Sequence, residues 1–559
     1  MKDLARLMPA ALALLAACSQ EPAGTPVPAA SGSKAGGVWF REEARARGLV
    51  FDHMRHAQQR FWFPEIMGAG VAWLDYDNDG RMDLYAVQSG DLAPEGKPMP
   101  GDRLFRNLGG GRFEDVTEKA GLRESAYGMG VTAGDVDNDG DSDLYVTNVG
   151  ANALYLNNGD GTFRDITEQA GVGDAGWGTS CGFFDGDNDG DLDLMVVNYV
   201  RWSSRLEIDC KSPYGERDYC APNNYNAPSQ CVLYENKGGA RFEAIQAQAG
   251  FGAAFGNGLG LALSDLDGDG DIDPYVSNDG MANQLWVNQG RMKFVDEALL
   301  RGAAVNRNGA PEASMGTVVG DFDSDGDSDI FITNLRGETN TLYENDGRGN
   351  MRDSSARTGM AQASLQFTGF GDVVADFDHD GIVDLFVGNG RVGFWKPYFS
   401  ETDLYAEPKQ LFRGIGKLKF EEVPGAGLEA ELLGNSRGVA AADFDDDGDI
   451  DLAVLENQGP LRLLVNSSEK RGNWIGWDLR NTHGAPALGA RIVGEAGGAK
   501  IHGEVLVCSS YCSANEPRVH WGLGSKARVE KLEVRWADGR RSTHGPFEAG
   551  RYHRIDEPK

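Results

Sequence analysis

The chain writes DxDxDGxxD seven times, starting at Asp75, Asp135, Asp185, Asp265, Asp321, Asp376 and Asp443. In the first copy the carboxylates of Asp75, Asp77, Asp79 and Asp83 can converge on one centre, with Gly80 supplying the sharp turn. The corresponding sets are Asp135, Asp137, Asp139 and Asp143; Asp185, Asp187, Asp189 and Asp193; and Asp265, Asp267, Asp269 and Asp273. They continue with Asp321, Asp323, Asp325 and Asp329; Asp376, Asp378, Asp380 and Asp384; and Asp443, Asp445, Asp447 and Asp451. Four carboxylates in nine residues repel one another unless a cation sits among them. Calcium accepts six to eight oxygens in flexible geometry, whereas magnesium demands a stricter octahedron. The expected chemistry is therefore binding of Ca²⁺, up to seven ions per chain.

An EF-hand loop opens with the same letters, but closes at position twelve with a bidentate Glu and is flanked by helices. Here position twelve is Ala86, Val146, Val196, Val276, Ile332, Val387 or Val454, none of which can ligate a metal. The residues after position nine are short, apolar, β-rich runs such as LYAV, LYVT and LMVV, which read as buried strands. Each Asp loop thus connects a strand A to a strand B.

The copies are spaced 50 to 80 residues apart, a period of propellers or arrays. A second submotif, LFRNLGGGRFEDVTEKAGL from Leu104 and LYLNNGDGTFRDITEQAGV from Leu154, recurs in weaker form at Leu233, Leu285, Leu342 and Leu411. Each reads as strands C and D around a Gly-rich turn. Four strands per repeat and seven repeats predict an all-β, seven-bladed β-propeller over residues 38–466. The seventh repeat has a strand C at Leu461 to Asn466 but no D segment. VWFREEARARGL from Val38 matches FEDVTEKAGL in its leading Phe and closing Gly-Leu, so residues 38–51 are expected to complete the last blade and remove exposed sheet edges.

These features resemble the FG-GAP/VCBS repeats of the integrin α-subunit propeller, in which such loops bind calcium between strands A and B. Residues 472–557 contain LGARI at Leu488, HWGLG at His520 and VEKLEVRWADGR at Val529. They resemble the ASPIC/UnbV domain, which follows such a propeller in the cartilage acidic protein family and its bacterial relatives. Trp521 and Ala537 stand where that family commonly has Phe and Pro. The resemblance implies fold and metal more sharply than function.

Lys2 and Arg6 precede an apolar run ending in LAAC at Cys18, the pattern of an export signal over residues 1–17. A Cys after Leu-Ala-Ala resembles a bacterial lipobox, so Cys18 is expected to carry lipid and residues 18–37 to form a flexible tether. Ser19 fits outer-membrane sorting by analogy with other lipoproteins. The six other cysteines favour disulfides in an exported chain. Cys210 with Cys220, and Cys508 with Cys512, are the expected local pairs, which leaves Cys181 and Cys231 as partners by elimination. The formal charge of −32 argues against nucleic-acid binding, since phosphate contacts require clustered Lys and Arg.

In a propeller the A–B loops open on one face and the B–C loops on the other. The longest insertions, Ser89 to Arg103, Tyr199 to Gln230 and Asn389 to Gln410, all follow a strand B and should project opposite the Asp loops. They hold Trp202, Tyr214, Tyr219, Tyr225, Phe394, Trp395, Tyr398 and Phe399, and aromatic side chains give large contact area at low entropic cost. Either these form a ligand face or they pack the insertions against the body. GTSCG from Gly178 matches the nucleophile elbow in letters, but runs into an Asp loop rather than a helix. GMGVTA from Gly128 likewise lacks the helix of a dinucleotide fingerprint. The expected function is a calcium-binding, membrane-anchored adhesion or binding module for a protein or glycan; the alternative is a carbohydrate-active or biosynthetic enzyme on the same scaffold.

Overall fold

The computed structural model describes residues 37–559 apart from 56–59, 91, 93–99, 123–125 and 429–431. The signal segment and Cys18 lie outside the described residues. Each repeat forms a four-stranded antiparallel sheet in sequence order; the first is Val71–Leu74, Asp83–Ala86, Arg103–Asn107 and Phe113–Asp115. The seventh takes its fourth strand from the start of the described chain, with Phe40 opposite Asn466 and Glu42 opposite Leu464. The first strands of the seven sheets are Val71–Leu74, Gly128–Gly134, Gly178–Phe184, Gly258–Ser264, Thr317–Gly320, Gly369–Ala375 and Ser436–Ala442. Each contacts the next, and the seventh contacts the first, so the sheets close a ring around these inner strands.

Inner strands in such a ring must come close, and glycine permits it. A Cβ on Gly130 would lie 2.2 Å from the carbonyl oxygen of Thr179, and one on Gly371 2.5 Å from that of Arg437. The Gly-x-Gly letters that imitate a nucleotide fingerprint are thus a packing requirement of the ring.

Residues beyond the ring form a 3-stranded sheet (Asn473–Arg480 between Val519–Gly524 and Tyr552–Asp556), a 4-stranded sheet and a short two-stranded one. Trp477 anchors their core against Trp521 and Phe547. From this domain a buried loop enters the ring and meets the inner strand of every sheet. Ala514 N donates to Val71 O, and Cys512 O accepts from Val131 N. Cys512 N donates to Ser180 Oγ, Cys508 Sγ faces Leu261 O, and Ser510 N donates to Thr317 O. Ser510 Oγ accepts from Asp372 N, and Glu516 N donates to Ala441 O. The two chain-distant parts are therefore one compact body, and the C-terminal domain plugs the channel.

The plug also corrects the expected cysteine pairing. Cys210 and Cys220 form a disulfide, but Cys508, Cys512, Cys181 and Cys231 are all free. Cys508 packs beside Gly182 and Cys512 beside Gly70, so the intervening residues are strung between different inner strands rather than folded back on a local bridge.

Ser180, the look-alike nucleophile, is buried and donates to Leu259 O at 2.6 Å while accepting from Cys512 N at 3.0 Å. Ser180→Ala should destabilise the chain by about 1–3 kcal/mol, because a buried amide of the plug loses its acceptor. Denaturant unfolding measures this; an unchanged midpoint would contradict the plug's role in holding the ring.

Candidate metal centres and the insertion face

Each Asp loop is built by its own backbone. In the second, Asp135 accepts from Asp139 N at 3.1 Å and Gly140 N at 2.9 Å, and Asp139 accepts from Asp141 N at 3.0 Å. Position four lies in the left-handed region in all seven loops, at Asn78, Asn138, Asn188, Gly268, Ser324, His379 and Asp446. Asparagine tolerates that conformation, and here it has a second task. Asn138 Nδ2 reaches Asp191 Oδ1 at 2.6 Å and Asn188 Nδ2 reaches Asp271 Oδ1 at 2.7 Å, so successive loops are tied edge to edge.

The ninth-position aspartates are staples within the blade. Asp143 accepts from Val136 N at 2.8 Å and Asn157 N at 2.7 Å; Asp193 accepts from Gly186 N and Asn236 N, both at 2.8 Å. The strand-C asparagine then passes the connection to the preceding blade. Asn107 Nδ2 donates to Phe444 O, Asn157 to Tyr76 O, Asn236 to Val136 O, Asn288 to Gly186 O, Asn345 to Leu266 O and Asn466 to Phe377 O. The sixth blade departs from this pattern with Gly414, whose N donates to Asp384 but which has no side chain to reach the preceding blade.

The remaining oxygens suit a cation. Ligand atoms of Asp75, Asp77 and Asp83, of Asp135, Asp137 and Asp143, and of Asp185, Asp187 and Asp193 lie within 4.8 Å of one another. Asp265, Asp267 and Asp269, and Asp321, Asp323 and Asp325, form comparable groups. Position three carries a buried oxygen without a hydrogen-bond partner at Asp77, Asp137, Asp323 and Asp445. A buried acceptor with nothing to accept from is costly, and four recur at one motif position. The donor set and these orphaned oxygens fit Ca²⁺.

The C-terminal domain covers this face. Arg491 and Arg535 hold Asp265 Oδ2 at 2.9 and 3.2 Å, and Arg518 reaches Asp446 Oδ1 at 2.6 Å and Asp443 O at 2.6 Å. Glu516 Oε1 accepts from Asp443 N at 2.9 Å, and Gly524 N donates to His379 O at 3.0 Å.

The insertions meet one another on residues of other blades. Phe394 N and Tyr405 Oη donate to the two oxygens of Asp218 at 2.7 and 3.1 Å, joining the insertions of blades three and six. Lys396 N donates to Tyr214 Oη at 3.1 Å. Tyr219 and Tyr405 are buried, with ring centroids 5.6 Å apart, and Phe394 stacks on Tyr405 at 4.9 Å. Trp202 and Tyr225 are half-buried against Trp62 and Phe63, and both donate to Glu207. Trp395 and Tyr398 are half-buried, whereas Tyr214 and Phe399 are exposed beneath the cations of Lys396 and Arg391. The structure thus gathers the aromatics and leaves two of them exposed. Sequence reading missed the Phe61–Phe63 segment they pack on; its FWFP run was the available signal.

Residues 480–559 match the family described as ASPIC and UnbV, and residues 75–146, 135–196, 265–332 and 321–387 match FG-GAP-like repeat. The chain carries FG-GAP-like repeats and an ASPIC and UnbV domain. Cartilage acidic protein 1 of Homo sapiens is 30 % identical over 300 residues, 43 % of this chain and 44 % of that protein. The Mus musculus protein is 28 % identical over 279 residues, 48 % of this chain and 40 % of that one. The chain thus matches less than half the length of these curated relatives. Among solved structures, YCF48 bound to D1 peptide is similar at TM-score 0.40 and 11 % identity, over 75 % of this chain and 99 % of that one. A lectin of Agrocybe aegerita recognising non-reducing terminal N-acetylglucosamine is similar at TM-score 0.36 and 13 % identity, over 70 % of this chain and 87 % of that one. The matched FG-GAP-like repeats hold the first six Asp loops, and the ASPIC and UnbV domain holds the plug and the cover.

Burial raises the carboxyls of the repeats, to about 6 at Asp75 and Asp135, about 7 at Asp185 and about 8 at Asp83, Asp193, Asp273 and Asp329. Neighbouring carboxylates of the same loop push in the same direction. Without a cation the folded chain therefore holds protons that the unfolded chain releases near pH 4. In metal-free buffer, stability should be greatest in mild acid and fall as pH rises through about 4 to 8. Melting across that range measures it; a metal-free melting temperature that rises toward pH 8 would contradict the assignment of these groups.

Proposed function

We propose that the chain is an exported binding module, held in shape by Ca²⁺, that presents its insertion face to a protein or glycan of the cell envelope and is tethered to the membrane through lipid on Cys18. The FG-GAP-like repeats and the ASPIC and UnbV domain support an extracellular binding or adhesion module. Among the described residues no helix is long and apolar enough to cross a membrane.

One observation carries the choice of face. The Asp-loop face and the ring's channel are occupied by the protein's own C-terminal domain. The opposite face bears the disulfide-stapled insertion with exposed Tyr214 and Phe399 on a buried aromatic bed. Loops on a rigid scaffold are where binding residues concentrate, and a rigid aromatic loses little entropy on contact. Ca²⁺ would be held by the aspartates at positions one, three, five and nine, and would supply the positive charge that lets those carboxylates stay together. The chain's residues position it; no bond is made or broken.

Capture of envelope proteins and glycans on the purified chain tests the face. Tyr214→Ala with Phe399→Ala should weaken capture at least tenfold while leaving the melting temperature unchanged, as expected for anchor residues at an interface; undiminished capture would move the site elsewhere. For the anchor, fatty-acid labelling of the expressed chain should be lost in Cys18→Ser, together with membrane association. Labelling that persists would contradict lipid at Cys18.

A further inference from the structure

The sixth Asp loop gathers two fixed positive charges on its buried third-position aspartate. Asp378, its third-position aspartate, has a fully buried side chain whose Oδ2 lies 2.9 Å from Arg413 Nε and 2.9 Å from Arg471 Nε. The guanidinium of Arg413 also reaches Asp380 Oδ2. The other oxygens are taken too: Asp378 Oδ1 accepts from Asp380 N at 3.3 Å, and Asp380 Oδ1 from Ile382 N at 3.0 Å. Asp376 accepts from Asp380 N at 3.1 Å and Gly381 N at 2.7 Å; Asp384 accepts from Gly414 N at 2.9 Å and Phe377 N at 3.0 Å. Each of the eight side-chain oxygens of the loop's four aspartates has a protein donor or cation.

Loops two and five show the contrast. Asp137 and Asp323 each keep a buried, unpartnered oxygen, and among the described residues no Arg or Lys forms an ion pair with the four aspartates of either loop. Loop one is intermediate: Arg106, which precedes the strand-C asparagine as Arg413 precedes Gly414, lies 2.6 Å from Asp77 Oδ2, yet Asp77 Oδ1 remains unpartnered. Arg81 reaches Asp79 in loop one, and in loop four Arg301 meets Asp267 while Arg491 and Arg535 share Asp265; among the described residues, Asp378 is the third-position aspartate that a second guanidinium joins. That second one comes from the linker to the C-terminal domain, and the domain is seated on the same loop. Arg471 N donates to Asp378 O at 2.7 Å, and Gly524 N to His379 O at 3.0 Å. A Cβ on Gly522 would lie 1.7 Å from Asp376 Oδ2, so the domain's strand presses directly on the loop.

We infer that loop six takes no divalent cation: Arg413 and Arg471 act as its fixed counter-ions, and the loop serves as a calcium-independent seat for the C-terminal domain. The inference concerns how the ions of the proposed function are distributed and rests on that reading for the other loops. The physical reason is charge balance. A guanidinium gives a carboxylate two directed donors and a delocalised charge, and two of them offset what a Ca²⁺ would offset. A divalent ion entering the loop would have to displace them into solvent.

Calcium bound per full-length chain, counted by equilibrium dialysis and atomic emission at buffered free Ca²⁺, tests this. Asp137→Ala should lower the count by one ion. Asp378→Asn should leave it unchanged, and Arg413→Met with Arg471→Met should raise it by one as the loop opens to the ion. A fall of one ion in Asp378→Asn would overturn the inference, as would an unchanged count in the double arginine variant. Circular dichroism checks that each variant is folded. Should no loop in the wild-type chain bind Ca²⁺, the proposed function fails and a second measurement decides this point separately. In chelator, the double arginine variant should melt several degrees below wild type because Asp378 is left buried without a counter-ion. An identical melt would overturn the inference whatever the ion count.

Discussion

The structure depends on keeping many carboxylates together where water is scarce. The ninth-position aspartate of each repeat is buried, and in six of the repeats it accepts backbone N–H groups from its own Asp loop and its own strand C. Those bonds set the angle of the loop against the sheet, and the strand-C asparagine carries the link to the neighbouring blade. The arrangement brings the aspartates of positions one and three beside the ninth, with burial and mutual repulsion both favouring the protonated forms. A hydrogen-bonded frame of this kind wants a cation at its centre, since directed N–H groups alone leave the position-three oxygens of Asp77, Asp137, Asp323 and Asp445 unsatisfied. In the sixth loop, where Gly414 stands in place of the strand-C asparagine, Arg413 and Arg471 lie on Asp378.

The same frame explains why the C-terminal domain is part of the body. Its plug residues hydrogen-bond to backbone groups of the inner strands that would otherwise line an open channel, and buried backbone groups need partners. Its arginines then meet the acidic face, with Arg491 and Arg535 on Asp265 and Arg518 on Asp446. Charge and shape agree: an acidic ring receives a basic rim. Binding to outside partners is left to the far side, where the disulfide between Cys210 and Cys220 and the carboxylate of Asp218 hold the insertions in place.

Much of this was legible in the chain. The Asp motif and the apolar runs after it named the A and B strands, and the Phe and Gly-Leu at Phe40 and Leu49 were enough to place the closing strand, because it repeats the local pattern of the other D segments and the seventh repeat lacks one. The LYxN asparagine could be seen to recur, but its donation to the previous blade could not, since that bond spans up to hundreds of residues in sequence, as from Asn107 to Phe444. Cys508 and Cys512 looked like a local pair by spacing alone; the reason they are apart lies in the inner strands they touch, which no local spacing encodes. The aromatic insertions were identified by composition, while the division between buried Tyr219 and exposed Tyr214 came only from packing against Phe61 and Tyr405.

The central claim is that cations, shared with a few arginines, hold the carboxylate frame in the folded ring. Calorimetric unfolding of the purified chain near pH 8, in millimolar Ca²⁺ and again after exhaustive chelation, tests it most directly. The account predicts a melting transition raised by ten degrees or more with Ca²⁺, restored on adding the ion back, because a ligand bound only by the folded state stabilises it by mass action. Superimposable transitions in the two buffers would contradict it.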